Sequence, residues 1–271
     1  MKNRQIKFII TTLIITQALS CTTVPITGRR QLELMPESEM MSMSLTSYNQ
    51  VLSTSKVITT GADAATIQRV GNRLSKAVTL YLQNNKMGNR VNGYKWEYNL
   101  INDPTVNAWC MPGGKVVFYS GIMPVCKDET GVAVVMGHEI AHAIAQHGNE
   151  RMSQEMTQQL GGQALSVALA SKPQQTQQIF SAAYGLGSQY AVMLPFSRLH
   201  ESEADQLGLY FMSMAGYDPK QAPIFWQRMS ASGGATPPEF MSTHPSPAAR
   251  IADINKWMPQ ALKYYEANGG K

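Results

Sequence analysis

The chain has 271 residues, of which 23 are basic and 18 acidic, and its formal net charge is +5. Lys2, Arg4 and Lys7 lie in the first twenty positions, which contain no acid. The rest of the chain carries 20 basic and 18 acidic residues, a balance that gives no indication of nucleic-acid binding. This length is sufficient for one domain with a well-packed core.

The first twenty residues have the pattern of a targeting segment. The basic residues precede an apolar run over 8–18, which is too short for a stable membrane span. A small residue, Ser20, stands directly before Cys21 and is typical of a lipobox, with cleavage before Cys21 and diacylation of its sulfur. Thr22 favours sorting to the outer membrane, and cleavage as a plain secretory signal is the alternative.

We therefore expect three segments in the chain. They are a signal peptide at 1–20, a lipidated tether at 21–35 and a single domain at 36–271. The expected location is the bacterial cell envelope, as a periplasm-facing lipoprotein held by its lipid in the outer membrane.

Hydrophobic periodicity places helices on both sides of a short strand region. Apolar residues such as Ile67, Val70 and Leu74 recur at helical spacing within 62–83. Strand-like runs between Asn-, Asp-, Pro- and Gly-rich turns predict a small sheet within 95–119. Further helices are expected at 36–52, 196–215, 218–232 and 246–258. Residues 149–195 have no apolar run of membrane-spanning length, which predicts helices of a lid or groove wall.

The helix predicted at 130–147 contains the most informative pattern, His138-Glu139-Ile140-Ala141-His142. Asp128 can cap its first turn, and Gly148 fits a left-handed residue that ends the helix. His138 and His142 are one helical turn apart, so both imidazoles lie on one face. This arrangement can bind a zinc ion and keep Glu139 beside the water on the metal.

A catalytic zinc ion usually takes a third protein ligand. A third histidine six residues after His142 is excluded, because that position is Gly148. In the helix at 196–215, Glu201 and Asp205 are four residues apart and share a face. Glu201 can bind the metal, and Asp205 can accept a hydrogen bond from a ligand imidazole. We expect one Zn²⁺ per chain, with Glu203 on a solvated acidic face. His147 and His200 are expected on the surface or around the ligands.

Four segments resemble, in order, the motifs of the HtpX and CAAX-prenyl-protease family of zinc peptidases. They are 107–114, the HEIAH segment, 198–208 and 243–250. Residues 24–31 resemble the start of the lipoprotein members of that family, among them outer-membrane quality-control proteases. The resemblance implies Glu201 as the third zinc ligand. It also implies the fold class: α+β and mainly α, a gluzincin-like zincin domain with a small antiparallel sheet and an HExxH helix.

Zinc would lower the pKa of its bound water toward neutrality, and Glu139 would accept the proton and pass it to the leaving amine. Candidates for stabilising the oxyanion are His244, Arg198 and Tyr210, among which the sequence does not choose. In lipoprotein relatives a histidine matching His244 blocks the zinc, so the resemblance also implies a latch. The spacing of Cys110 and Cys126 leaves both a disulfide and two free thiols open.

These features predict a zinc metalloendopeptidase that cleaves misfolded or stalled envelope proteins, especially those of the outer membrane. An edge strand beside the zinc helix would bind an extended peptide through backbone hydrogen bonds. One alternative is a chaperone-like factor that serves the outer-membrane assembly machinery with a latched, rarely active zinc site. An intact Glu139 disfavours it. The other is an amidase acting on cell-wall peptides, which the edge strand disfavours.

Overall fold

A computed structural model describes residues 21–170, 174–175, 177–178, 181–182, 194–231, 240 and 247–270. The predicted signal peptide, most of the predicted lid segment after residue 170 and the predicted latch His244 lie outside these residues.

The domain is mainly helical, as predicted. In chain order the helices are α1 (Glu37–Thr54), α2 (Ala62–Asn84), α3 (Met123–Cys126), α4 (Glu129–Ile144), α5 (His147–Leu169), α6 (Leu194–Met214), α7 (Gln221–Ala231) and α8 (Pro247–Ala267). The strands are β1 (Cys21–Thr23), β2 (Arg30–Leu32), β3 (Val57–Ile58), β4 (Glu97–Ile101), β5 (Ala108–Met111) and β6 (Lys115–Tyr119). The predicted fold class, a mainly helical zincin-like domain with a small sheet, is confirmed, although one strand pair of that sheet is parallel.

The four-stranded sheet has the order β3-β4-β6-β5. The β3–β4 and β5–β6 pairs are antiparallel, whereas β4 and β6 pair in parallel. Gly113 and Gly114 form the turn between β5 and β6 with φ of 85° and 78°, a left-handed conformation that favours glycine. Among the described strands β5 is an outer strand, and it packs against α4.

Helix α4 lies at the centre of the molecule. All of its residues from Gly131 to Ala141 are buried, because the sheet, α2, α6 and α7 surround it. From α2, the predicted apolar side contributes Ile67, Val70 and Leu74, each 0% exposed. Full burial of such a side chain stabilises the fold by about 1.5–3 kcal/mol. The zinc motif therefore lies on a helix that is buried in the core of the domain.

Two glycines allow α4 and α6 to approach closely. A Cβ atom at Gly208 would lie 2.8 Å from the His138 backbone nitrogen, and one at Gly137 would lie 2.9 Å from the Gly208 carbonyl oxygen. These distances are shorter than carbon atoms tolerate, so only glycine fits at this crossing.

The start of α4 agrees with the prediction from the sequence, whereas its end does not. Asp128 caps the start of the helix, where its carboxylate accepts a hydrogen bond of 2.9 Å from the Gly131 N–H. The helix ends at Ile144, earlier than predicted, and the left-handed residue is Gln146 (φ 57°) instead of Gly148. The Arg90 guanidinium explains this end, because it donates to the Gln146 side chain and lies 3.4 Å from the Ile144 carbonyl oxygen. His147 consequently begins a new helix.

Strands β1 and β2 form an antiparallel hairpin within 21–35, the segment assigned to a tether from the sequence. Val24 in this hairpin is buried in the main core, and the Leu34 N–H donates to the Ser153 hydroxyl of α5 at 2.8 Å. This segment therefore packs onto the domain. Its role as a lipidated tether stays a prediction.

Within the described ranges, no helix combines the length and the hydrophobicity needed to cross a membrane.

Candidate metal centre

The three predicted ligands converge where α4 and α6 cross. The Nε2 atoms of His138 and His142 are 3.1 Å apart. The Glu201 carboxylate oxygens lie 3.5 Å from His138 Nε2 and 3.4 Å from His142 Nε2. In a tetrahedral zinc site with bonds of about 2.0–2.1 Å, ligand atoms are separated by about 3.3 Å. The spacing of these atoms fits zinc, and three protein ligands leave one position for water.

On the side away from the metal position, the His138 ring contacts a buried carboxylate. Its Nδ1 lies 3.0 Å from Asp205 Oδ1, the contact predicted from the sequence. Arg250 of α8 binds both Asp205 oxygens at 2.7 Å, and its guanidinium lies 3.6 Å from the centre of the Trp226 ring. Burial raises the pKa of Asp205, but Arg250 and His138 outweigh it and lower that pKa below its ordinary value. The ionised carboxylate fixes the His138 ring with Nε2 facing the metal position.

His142 has a different partner, a second imidazole. Its Nδ1 lies 2.9 Å from Nδ1 of His147, whose Nε2 lies 3.1 Å from Glu203 Oε2. Burial lowers the pKa of His147 to about 4, and the hydrogen bond with Glu203 offsets this only in part. His147 is therefore neutral at physiological pH and has one nitrogen able to accept a hydrogen bond.

Glu203 belongs to a group of six polar residues behind His142, which we name the Arg29 cluster. Its members are Thr27, Arg29, His147, Glu150, His200 and Glu203. Burial raises the pKa of Glu150 and of Glu203, but their hydrogen bonds, with Arg29 among the donors to both, lower each pKa to about 2. The expectation that Glu203 lies on a solvated face is wrong, since its side chain is 3% exposed.

Glu139 lies on the side of α4 that faces β5. It lines a cavity of about 220 Å³ together with His142 of the metal site, Cys110 of β5 and Arg151 of α5. A carboxylate next to the metal ligands and beside open space can exchange a proton with a reacting water. Cys110 and Cys126 are free thiols, one of the two alternatives left open by the sequence.

The three candidates for the oxyanion role lie in different environments. Arg198 is exposed on the surface of α6. Tyr210 packs in the core against Tyr264, with 5.3 Å between ring centres, about two and a half turns beyond the zinc ligand of its helix. His244 lies outside the described residues.

Arg29 and Arg250 are among the site residues that the sequence did not predict, as are Thr27 and Glu150. Arg250 ends the 243–250 segment used for the family resemblance, so a signal for it existed. No sequence motif around Arg29 indicates a role in the site.

The geometry is that of a zinc site of the HExxH class with a glutamate as third ligand. A family comparison agrees: the model for Peptidase family M48 matches residues 61–258. The chain belongs to this family. The predicted zinc cofactor and the predicted membership of a metallopeptidase family are thus confirmed.

The chain is similar to peptidases of mitochondria and of a bacterium. Mitochondrial metalloendopeptidase OMA1 of Schizosaccharomyces pombe is 41% identical over 169 residues, 62% of this chain and 48% of that protein. OMA1 of Saccharomyces cerevisiae is 36% identical over 184 residues, 65% of this chain and 51% of that protein. The beta-barrel assembly-enhancing protease of Escherichia coli is 31% identical over 180 residues, 63% of this chain and 37% of that protein. The chain spans about half the length of the two yeast relatives.

The predicted location in the bacterial outer membrane is wrong, because the yeast relatives, which share the higher identities, are mitochondrial proteins. Mitochondrial presequences and secretory signals both have basic N-terminal stretches that lack acids, and this shared property does not separate the two. Lipidation of Cys21 depended on that location and stays an untested prediction.

Proposed function

We propose that the protein is a zinc-dependent endopeptidase that cleaves extended or unfolded segments of protein substrates. The observation that supports this best is the tetrahedral spacing of the His138, His142 and Glu201 ligand atoms beside Glu139. A bound zinc ion supplies a Lewis acid that polarises the scissile carbonyl and makes water more acidic.

Glu139 acts as the general base and then as the general acid. Its carboxylate accepts the proton of the attacking water and delivers it to the amine nitrogen as the peptide bond breaks. The Asp205 carboxylate keeps the His138 ring in the tautomer that leaves Nε2 free for the metal. Burial of Glu139, which is 4% exposed, limits competing bulk water around this proton transfer.

Strand β5 is the proposed docking edge for the substrate. The Tyr119 N–H donates to the Asn107 carbonyl at the start of the β5–β6 pair. By the alternation of antiparallel pairs, Trp109 then bonds to β6, whereas the Cys110 N–H and carbonyl point away from β6. Cys110 also lines the cavity that contains Glu139, so a strand added to β5 would run past the metal centre. Backbone pairing of this kind selects extended chains rather than particular side chains.

The experiment combines metal analysis with proteolysis of casein by purified protein. We expect about one zinc ion per chain, cleavage of casein, and loss of cleavage on treatment with a chelator. Glu139→Gln should retain zinc and lose about 10²–10⁴-fold in kcat, because the general base is removed.

Three outcomes would contradict the proposal. Casein cleavage that survives both the chelator and Glu139→Gln would remove zinc and Glu139 from the reaction. A chaperone would be favoured if wild type and Glu139→Gln prevented substrate aggregation equally well and neither cleaved the substrate. Cleavage of muropeptides but not casein would favour an amidase.

A further inference from the structure

The Arg29 cluster links the N-terminal hairpin to a zinc ligand. Arg29 lies just before β2, in the turn of the hairpin, and outside the 61–258 range that matches the family model. Its guanidinium binds Glu150 through two nitrogens at 2.7 and 2.8 Å, and Glu203 Oε2 through two at 2.8 and 2.9 Å. One cation thus holds two carboxylates, from α5 and α6, at fixed positions.

The other members of the cluster complete the support of these carboxylates. The Thr27 hydroxyl donates to the second oxygen of Glu203. His200 Nε2 lies 2.9 Å from Glu150 Oε2, and its ring stacks on His147 with 4.4 Å between centres. Glu203, Glu150, His147 and His200 are each at most 4% exposed. Burial makes the position of each group depend on its partners, because water cannot replace a lost hydrogen bond there.

The hydrogen-bond directions are set by the metal. If His142 binds zinc through Nε2, its proton is on Nδ1 and is donated to His147 Nδ1. His147 then carries its own proton on Nε2, which is donated to Glu203 Oε2. Glu203 is in turn fixed by Arg29. Every donor in this series has an acceptor, and only one set of tautomers satisfies all of them.

The two zinc-binding histidines are therefore supported in parallel ways. His138 contacts Asp205, which is bound by Arg250. His142 contacts His147, which contacts Glu203, and Glu203 is bound by Arg29. We propose that Arg29 is a positioning residue for the metal centre, which holds the His142 ring in its ligating orientation through Glu203 and His147. The N-terminal hairpin thereby contributes to zinc binding although it carries none of the three ligands.

The test compares Arg29→Gln and Arg29→Lys with Arg30→Ala, which removes the exposed neighbouring arginine. Zinc affinity is measured by competition with a chromophoric chelator, and ligand geometry by the visible absorption of the Co²⁺-substituted protein. We expect zinc binding to weaken about 10–100-fold in Arg29→Gln and to a smaller extent in Arg29→Lys. The cobalt bands should shift in both variants, whereas Arg30→Ala should stay within about twofold of wild type with unchanged bands.

A second variant covers the case in which Arg29→Gln does not fold. His147→Phe keeps the ring stack on His200 and both ion pairs of Arg29 but removes the acceptor for His142 Nδ1. It should weaken zinc binding and shift the cobalt bands in the same direction. Unchanged zinc affinity and unchanged cobalt bands in Arg29→Lys and His147→Phe would overturn the proposal, even if the apoproteins unfold more easily. Neither readout requires proteolysis, so the result is independent of the proposed endopeptidase activity.

Discussion

At the scale of single residues, the metal centre depends on the groups behind its ligands. His138 and His142 can each rotate about two side-chain bonds, and a metal site needs both rings fixed. Asp205 fixes the orientation of the His138 ring through a 3.0 Å contact, and Arg250 keeps Asp205 ionised inside the core. A ligand ring held in advance loses less conformational freedom when the metal binds.

Asp205→Asn tests this support directly. The amide keeps the size of the side chain but removes the charge that pairs with Arg250 and orients the His138 Nδ1 proton. We expect zinc affinity to fall about 10–100-fold, measured by chelator competition. Asp253→Asn is the matched control, because the partner of Asp253 among the described residues is Lys256, on the surface of α8. Equal zinc affinities in the two variants would show that Asp205 does not orient the ligand.

At the scale of secondary-structure elements, the site is the product of one helix crossing. Helix α4 supplies two ligands and α6 the third, so the distance between the helices sets the distance between the ligands. Gly137 and Gly208 bring the backbones together at the crossing. The spacing of the zinc ligands is therefore determined by residues that bind no metal.

Gly208→Ala should separate the two helices. The added methyl group would lie 2.8 Å from the His138 backbone nitrogen, where nothing flexible can give way. We expect the apoprotein to lose about 1–3 kcal/mol of unfolding free energy in urea. Zinc affinity should fall as well. Gly148→Ala is the control, since the nearest atom that its methyl group would meet in the described part of the chain is the end of Met40, at 4.0 Å. A Gly208→Ala protein as stable as Gly148→Ala would contradict the close crossing.

The outer strand β5 gives a separate prediction about substrate binding. Cys110→Pro removes the outward-pointing N–H, whereas Cys110→Ala removes only the thiol. If an extended substrate pairs with β5, the proline variant should raise KM for an unfolded protein by up to about tenfold, the value of one hydrogen bond. The alanine variant should stay near wild type. Steady-state cleavage of casein measures both, and equal KM values would exclude pairing at Cys110.

The sequence predicted those parts of the site that depend on local periodicity. His138 and His142, like Glu201 and Asp205, are four residues apart on helices, so their shared faces followed from helical geometry alone. Arg29 and Glu203 are 174 residues apart, and nothing near either residue identifies the other as its partner. The end of α4 was also missed, because the left-handed Gln146 depends on a guanidinium contributed by Arg90.

At the scale of the whole molecule, buried ion pairs make stability depend on pH. Glu150 is a clear case, because its pKa falls from 4.5 to about 2 in the folded protein. Between these values the unfolded chain binds more protons than the folded chain. The contribution of Glu150 to the free energy of unfolding therefore has its full value above about pH 4.5. This contribution, about 3 kcal/mol in total, is lost as the pH falls toward 2.

Urea unfolding of the apoprotein between pH 6 and pH 3 tests this contribution. Glu150→Gln has no carboxyl group to protonate at this position. Its unfolding free energy should be lower than that of wild type at pH 6 but should decrease less steeply toward pH 3. Parallel pH dependences in the two proteins would exclude Glu150 as a source of acid sensitivity.

The hairpin of β1 and β2 also determines how the molecule would respond to mechanical force. Tension on the polypeptide before Cys21 would act first on the Cys21–Leu32 pair, then on Thr22–Gln31 and Thr23–Arg30. The strands would peel apart one pair at a time, and the last pair lies directly beside Arg29. Continued pulling would then draw the guanidinium away from Glu150 and Glu203. Tension on the N-terminus would in this way release the imidazole of His142 from its fixed orientation. Zinc affinity would then fall although no ligand is pulled directly.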